Sequence, residues 1–131
     1  MAIEDTKYLS YAEAVLIHIR LMQALGETRY GVDFRELVES ALARPKHAAV
    51  YENADIIRQS ATLLCGLIKN HAWLGGNKRT ATTLLQRFLE INGYRKNWSI
   101  AEQIELVLAI EADRWNVDEI ETWLRERIIK I

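Results

Sequence analysis

A chain of 131 residues, half of them hydrophobic and with a formal net charge of −1, suits a single compact domain, residues 1–131, around one core. The near-neutral balance disfavours a broad basic face for nucleic acid, and no apolar run approaches the ~18 residues of a membrane span. The stretch Met1-Ala2-Ile3-Glu4-Asp5-Thr6-Lys7 lacks the cationic and apolar regions of a leader, so a soluble, cytoplasmic protein is expected.

Ser10 and Glu13 have the spacing of a capping box, and Ala14, Val15, Ile17, His18, Leu21, Met22 and Leu25 follow at helical intervals until Gly26. His18 lies within that stripe and reads as a packed or hydrogen-bonded residue. After a loop from Gly26 to Gly31, Asp33 and Glu36 repeat the capping spacing for a short helix carrying Phe34, Leu37, Val38, Ala41 and Leu42. Pro45 disfavours helical geometry at Arg44 and is expected to stop that helix. Arg44, Pro45, Lys46, His47, Ala48, Ala49, Val50 and Tyr51 then alternate loosely, which predicts an extended flap.

A long helix is expected from about Asn53 to Asn70, with apolar residues around most of its circumference, as befits a central helix. Cys65 falls in this run as a small buried hydrophobe, with no second cysteine to pair with. Another central helix begins near Asn77 and closes at Asn92-Gly93. Tyr94 to Trp98 reads as a connection. Ser99 with Glu102, and Asn116 with Glu119, open two further helices, the last carrying Ile120, Trp123, Leu124 and Ile128 inward. Arg125-Glu126-Arg127 reads as a solvated face. The sum is an all-α bundle of about six helices with a short extended flap.

Between the two central helices lies His71-Ala72-Trp73-Leu74-Gly75-Gly76-Asn77-Lys78-Arg79-Thr80. A helix starting near Gly76-Asn77 offers unpaired N–H groups and the positive end of its dipole, and paired glycines let an anion approach closely. Lys78 and Arg79 are unfavourable for the helix at that end unless an anion binds. His71 can deprotonate a hydroxyl near neutral pH. Together these residues point to phosphoryl or nucleotidyl transfer to a hydroxyl. The plain structural alternative makes Gly75-Gly76 a helix stop, Asn77 a helix start and the cations surface residues. A nucleic-acid site through Lys46, His47, Lys78 and Arg79 is disfavoured by the overall charge.

The loop resembles the signature of the Fic/Doc family: His, any, aromatic, any, Asp or Glu, Gly or Ala, Asn, Lys or Gly, Arg. His71, Trp73, Gly76, Asn77, Lys78 and Arg79 fall at matching positions, with Trp73 in place of the usual phenylalanine. The likeness extends to Leu42–Pro45, Tyr51–Asp55 and Asn92–Tyr94. Lys78 stands where Fic adenylyltransferases carry glycine and Thr82 where they carry a second arginine, so the resemblance points to the Doc branch. That branch implies a toxin kinase passing the γ-phosphate of ATP to a threonine of a translation factor such as elongation factor Tu. The same resemblance implies His71 as general base and Gly76, Asn77, Lys78 and Arg79 as phosphate contacts. Arg44–Tyr51 would be the flap that docks the target as a strand.

The resemblance further implies a cognate antitoxin whose C-terminal segment folds into a groove. The first and last helices, with Trp115 and Trp123, are candidates for its walls, core packing being the simpler reading of the tryptophans. Position 75 departs from the pattern: the family acid that helps hold Mg²⁺ is Gly75 here, which implies weakened metal binding. An attenuated toxin, an inactive relative and a substitute carboxylate all accommodate that change. The other functional readings are AMP transfer to a protein hydroxyl and a catalytically inactive binding module.

Overall fold

Ten consecutive residues of one helix, Gln59 to Ile68, are buried, so that helix has no solvent face along most of its length. A computed structural model describes residues 5–131; Met1–Glu4, part of the stretch read for a leader, lie outside the described residues. The elements run α1 Tyr11–Ala24, α2 Arg35–Glu52, α3 Ile56–Asn70, α4 Asn77–Ile91, β1 Tyr94–Lys96, α5 Ile100–Glu111, α6 Val117–Arg125 and β2 Ile128–Lys130. The fully surrounded helix is α3, packed by α2, α4, α5 and α6, while α1 lies on α4 and α2. The expected all-α architecture of six helices is therefore what the described residues form. No helix among them is long and apolar enough to cross a membrane.

The buried polar groups of α3 are satisfied locally, as burial demands. Gln59 donates to the Ala54 carbonyl and accepts from the Tyr8 hydroxyl, and Ser60 and Thr62 donate to the helix backbone. Three predicted capping boxes form as read: Ser10 with Glu13, Ser99 with Glu102 and Asn116 with Glu119. Cys65 is a buried free thiol.

Three expectations need correction. The first is the flap: Arg44, Pro45, Lys46, His47, Ala48, Ala49, Val50 and Tyr51 belong to α2, which continues through the proline to Glu52. Its buried positions, Val38, Ala41, Pro45 and Ala48, recur at intervals of three and four, so the proline ring is part of the apolar stripe. The close approach that holds it is visible at Gly66 of α3, where an added Cβ would lie 2.7 Å from Arg44 Cδ and 3.4 Å from Ala41 Cα. Tertiary packing here outweighs the missing N–H donor. Asn53, in the left-handed conformation, ends α2 instead.

The second correction is at the start of α2. Its N-cap is Phe34, with no side-chain cap, and neither Asp33 nor Glu36 performs the predicted capping. The N–H groups of Asp33 and Phe34 instead both donate to the Ala72 carbonyl, at 2.9 and 3.1 Å. The third concerns the C-terminus. α6 stops at Arg125, and Ile128–Lys130 pairs antiparallel with Tyr94–Lys96, Arg95 facing Ile129. Arg125 pairs with Asp55 and Glu121, and Arg127 bonds Glu102 and lies over the Trp123 ring at 4.5 Å, so this run fastens elements together as well as facing solvent.

Candidate active site

The signature loop hangs between the two helices that form the centre of the core, so its ends are fixed by burial on both sides. α3 ends at His71, whose backbone is left-handed (φ 49°, ψ 49°) and whose side chain is exposed. The inner half of the loop is pinned. Trp73 is buried and bridges Val32, Leu74 donates to the Gly31 carbonyl at 2.8 Å, and Ala72 receives the two N–H groups that start α2. Asn77 then closes the loop on itself: its side-chain oxygen accepts from Trp73 N–H at 2.9 Å and its amide donates to the Trp73 carbonyl at 3.0 Å.

Beneath the loop sits His18, fully buried. Its Nε2 accepts from the Gly31 N–H at 2.9 Å, so in the neutral ring the proton is on Nδ1, which donates to Thr80 Oγ1 at 2.8 Å. The ring stacks on Trp73 with centroids 4.3 Å apart. One imidazole thus joins α1, the 26–31 loop, the signature loop and the first turn of α4. Burial pushes its pKa down, which keeps the ring neutral and the acceptor available. The indole Nε1 of Trp73 has no hydrogen-bond partner, the consequence of a tryptophan where a phenylalanine would need none.

Facing outward is an open cleft of about 400 Å³ lined by His71, Gly75, Gly76, Asn77, Lys78 and Arg79, and also by Arg29, Glu27 and Glu111. Gly75 (φ +114°) and Gly76 (φ +63°) both occupy conformations that favour glycine. A Cβ on Gly76 would come within 2.5 Å of Met22 Sδ, so a side chain there would require the end of the Met22 side chain to move. Lys78 Nζ lies 3.4 Å from Glu111 Oε1. The N–H groups of the first turn of α4 lack intrahelical acceptors and start at the cleft. The arrangement offers a base, several cations and backbone donors to an anion.

All the predicted loop residues therefore meet in one place. Asn77 does so differently from the expectation, because its side-chain amide is engaged with Trp73 and what it adds to the cleft wall is chiefly its place in the first turn. Thr82 is buried, its hydroxyl bonded to Arg79 O at 3.1 Å. None of residues 44–51 lines the cleft. Sequence reasoning missed Arg29, Glu27 and Glu111. The first two lay in a segment read only as a loop, and Glu111, at the end of α5, is 33 residues from Lys78, beyond any local spacing signal. A second groove, of about 320 Å³, adjoins the cleft and shares Lys78 and Arg79 with it; Thr82, Gln103 and the α5 residues Ile100, Ile104, Val107 and Leu108 complete its lining.

Comparison with known proteins adds two findings. Residues 8–89, α1 through nearly all of α4, match the Fic/DOC family. A 60-residue stretch is 45% identical to the protein named Toxin Doc of Mycolicibacterium smegmatis, covering 44% of this chain and 45% of that protein, so the match spans less than half of the relative's length.

Proposed function

The chain belongs to the Fic/DOC family, and from that premise we propose that it is a Doc-type toxin kinase, transferring the γ-phosphate of ATP to a threonine hydroxyl of a translation factor such as elongation factor Tu. The observation that carries this reading is the convergence of an exposed imidazole, His71, with Lys78, Arg79 and the first turn of α4 around one open cleft.

The step follows from those groups. His71 takes the proton of the target hydroxyl as its oxygen attacks the γ-phosphorus. The new O–P bond forms as the bond to the β-phosphate oxygen breaks, and ADP leaves with that electron pair. Lys78, Arg79 and the α4 N–H groups hold the equatorial oxygens, and positioning with charge stabilisation supplies most of the catalysis. His71 later releases its proton to water. In the family a magnesium ion at the motif acid would neutralise phosphate charge; the residues lining this cleft do not fit one. Gly75 has no carboxylate, Glu111 is in contact with Lys78, and the described residues contain no group of three or more His, Cys, Asp or Glu side chains placed to hold a metal.

A cognate antitoxin is part of the same proposal, and its docking face is α5. Ile100, Ile104 and Leu108 are 74%, 55% and 46% exposed at successive four-residue intervals, one unpartnered apolar stripe beside Lys78 and Arg79. Trp123, considered above for that groove, is instead buried against Trp98.

The test is incubation of the full chain with elongation factor Tu and ATP labelled at the γ or α phosphate, followed by intact-mass measurement of the target. The expected result is γ-label on the factor with a phosphate-sized addition, lost in His71→Asn, a substitution that tolerates the left-handed backbone. A nucleotide-sized addition would establish AMP transfer instead, and no addition from either label would sink the kinase reading.

A further inference from the structure

A triphosphate carries up to four negative charges, and in this cleft something other than the motif acid's metal must meet them. Three cations line it: Arg29, Lys78 and Arg79. Only two carboxylates oppose them, Glu27 and Glu111, and Glu111 already faces Lys78. Among the described residues, Arg29 and Arg79 make no ion pair with a carboxylate. Three cations against two carboxylates leave the lining net positive, which favours a polyanion over a divalent cation.

The backbone of Arg29 lies beside Gly75, the position at which the family carries its acid. A Cβ built on Gly75 meets the Arg29 carbonyl oxygen at 3.4 Å as its nearest neighbour outside the adjoining residues. The segment is held there, because two residues on, Gly31 donates its N–H to His18 and accepts from Leu74. Arg29 and Gly75 thus line the same cleft, and the arginine offers it a planar fork of donors that suits phosphate oxygens.

We propose that this cleft binds the triphosphate of its nucleotide without a divalent metal, with Arg29 as a third cation, beside Lys78 and Arg79, supplying the charge neutralisation that a metal would otherwise provide. The proposal rests on the phosphate-transfer reading above and specifies how its donor is held. Arg29 is in these terms a substrate-binding residue that no part of the family signature marks.

The experiment is equilibrium titration of the full chain with a fluorescent ATP analogue, once in EDTA and once in excess Mg²⁺, for the unmodified chain, Arg29→Ala, Arg29→Lys and Glu111→Gln. Inorganic triphosphate serves as competitor. The expected result is a Kd in EDTA no weaker than that in Mg²⁺. Arg29→Ala should raise the EDTA value about tenfold, the loss of one charge-assisted contact, with Arg29→Lys recovering part of it. Inorganic triphosphate should displace the analogue, and the melting temperature of Arg29→Ala should be unchanged because the side chain is exposed. Binding that requires Mg²⁺, and loses that requirement in Glu111→Gln, would overturn the proposal while leaving the kinase reading intact. Equal affinity in Arg29→Ala and the unmodified chain would remove Arg29 from the site. Absence of binding in either buffer would overturn both readings.

Discussion

Restoring the family acid with Gly75→Asp is the sharpest test of how the loop is built. Gly75 sits at φ +114°, where residues with a Cβ are rarely found, although the space around it is open apart from the Arg29 carbonyl at ordinary contact distance. The penalty is therefore conformational and amounts to ~1–3 kcal/mol. With an unfolding entropy of about 2.1 cal/mol/K per residue over 131 residues, the melting temperature should fall by about 4–11 °C. Thermal unfolding followed by circular dichroism measures this, and Gly75→Ala separates the backbone effect from the carboxylate. Both variants should fall together in EDTA, and with ATP present throughout only the aspartate variant should gain further stability on adding Mg²⁺. An aspartate variant that melts with the unmodified chain in EDTA would refute the conformational reasoning.

Other perturbations reach other parts of the molecule. Because burial lowers the pKa of His18, the unfolded chain binds its proton more readily; stability is full above about pH 6.5 and declines as pH falls below it. Urea midpoints at pH 7 and pH 5.5 should show that decline, and His18→Gln should flatten it; an equal slope in the variant would show that other groups cause it. Pro45→Ala should stabilise the protein by about 1 kcal/mol, because the helix-interior cost of proline is ~3 kcal/mol and the buried ring carbons lost are worth ~0.8 kcal/mol each. An extended segment would show no such gain in urea. Ile104→Glu should leave stability within about 0.5 kcal/mol yet weaken antitoxin binding at least about tenfold by calorimetry, and unaltered binding would move the docking face elsewhere.

What could be read from residue order was whatever is local. Capping at Ser10, Ser99 and Asn116 depends on side chains three residues apart, and each box formed. The loop from His71 to Arg79 was legible for the same reason, since one cleft draws its main wall from adjacent residues. Local rules failed where distant packing decided. Pro45 reads as a stop, yet its place in a stripe facing Gly66 keeps α2 helical. Asp33 was a plausible cap until the signature loop offered the Ala72 carbonyl to the chain entering α2. Strands of three residues carry too little alternation to be seen, and β2 exists because Tyr94–Lys96 lies beside it. Arg29 and Glu111 reach the cleft from the end of another loop and the last residue of α5, a convergence no spacing within the motif encodes.

Lys78 and Arg79 belong to two concavities at once, the loop cleft and the α5 groove. Two side chains shared in this way make the occupants thermodynamically linked. A phosphate that draws the cations into the cleft withdraws them from whatever lies along α5, and an acidic partner on α5 does the reverse. Linkage is reciprocal: if nucleotide weakens the partner's hold tenfold, about 1.4 kcal/mol, the partner weakens the nucleotide's hold by the same factor. Release of the partner then becomes a function of how much phosphate donor the surroundings contain, with no moving part beyond two long side chains.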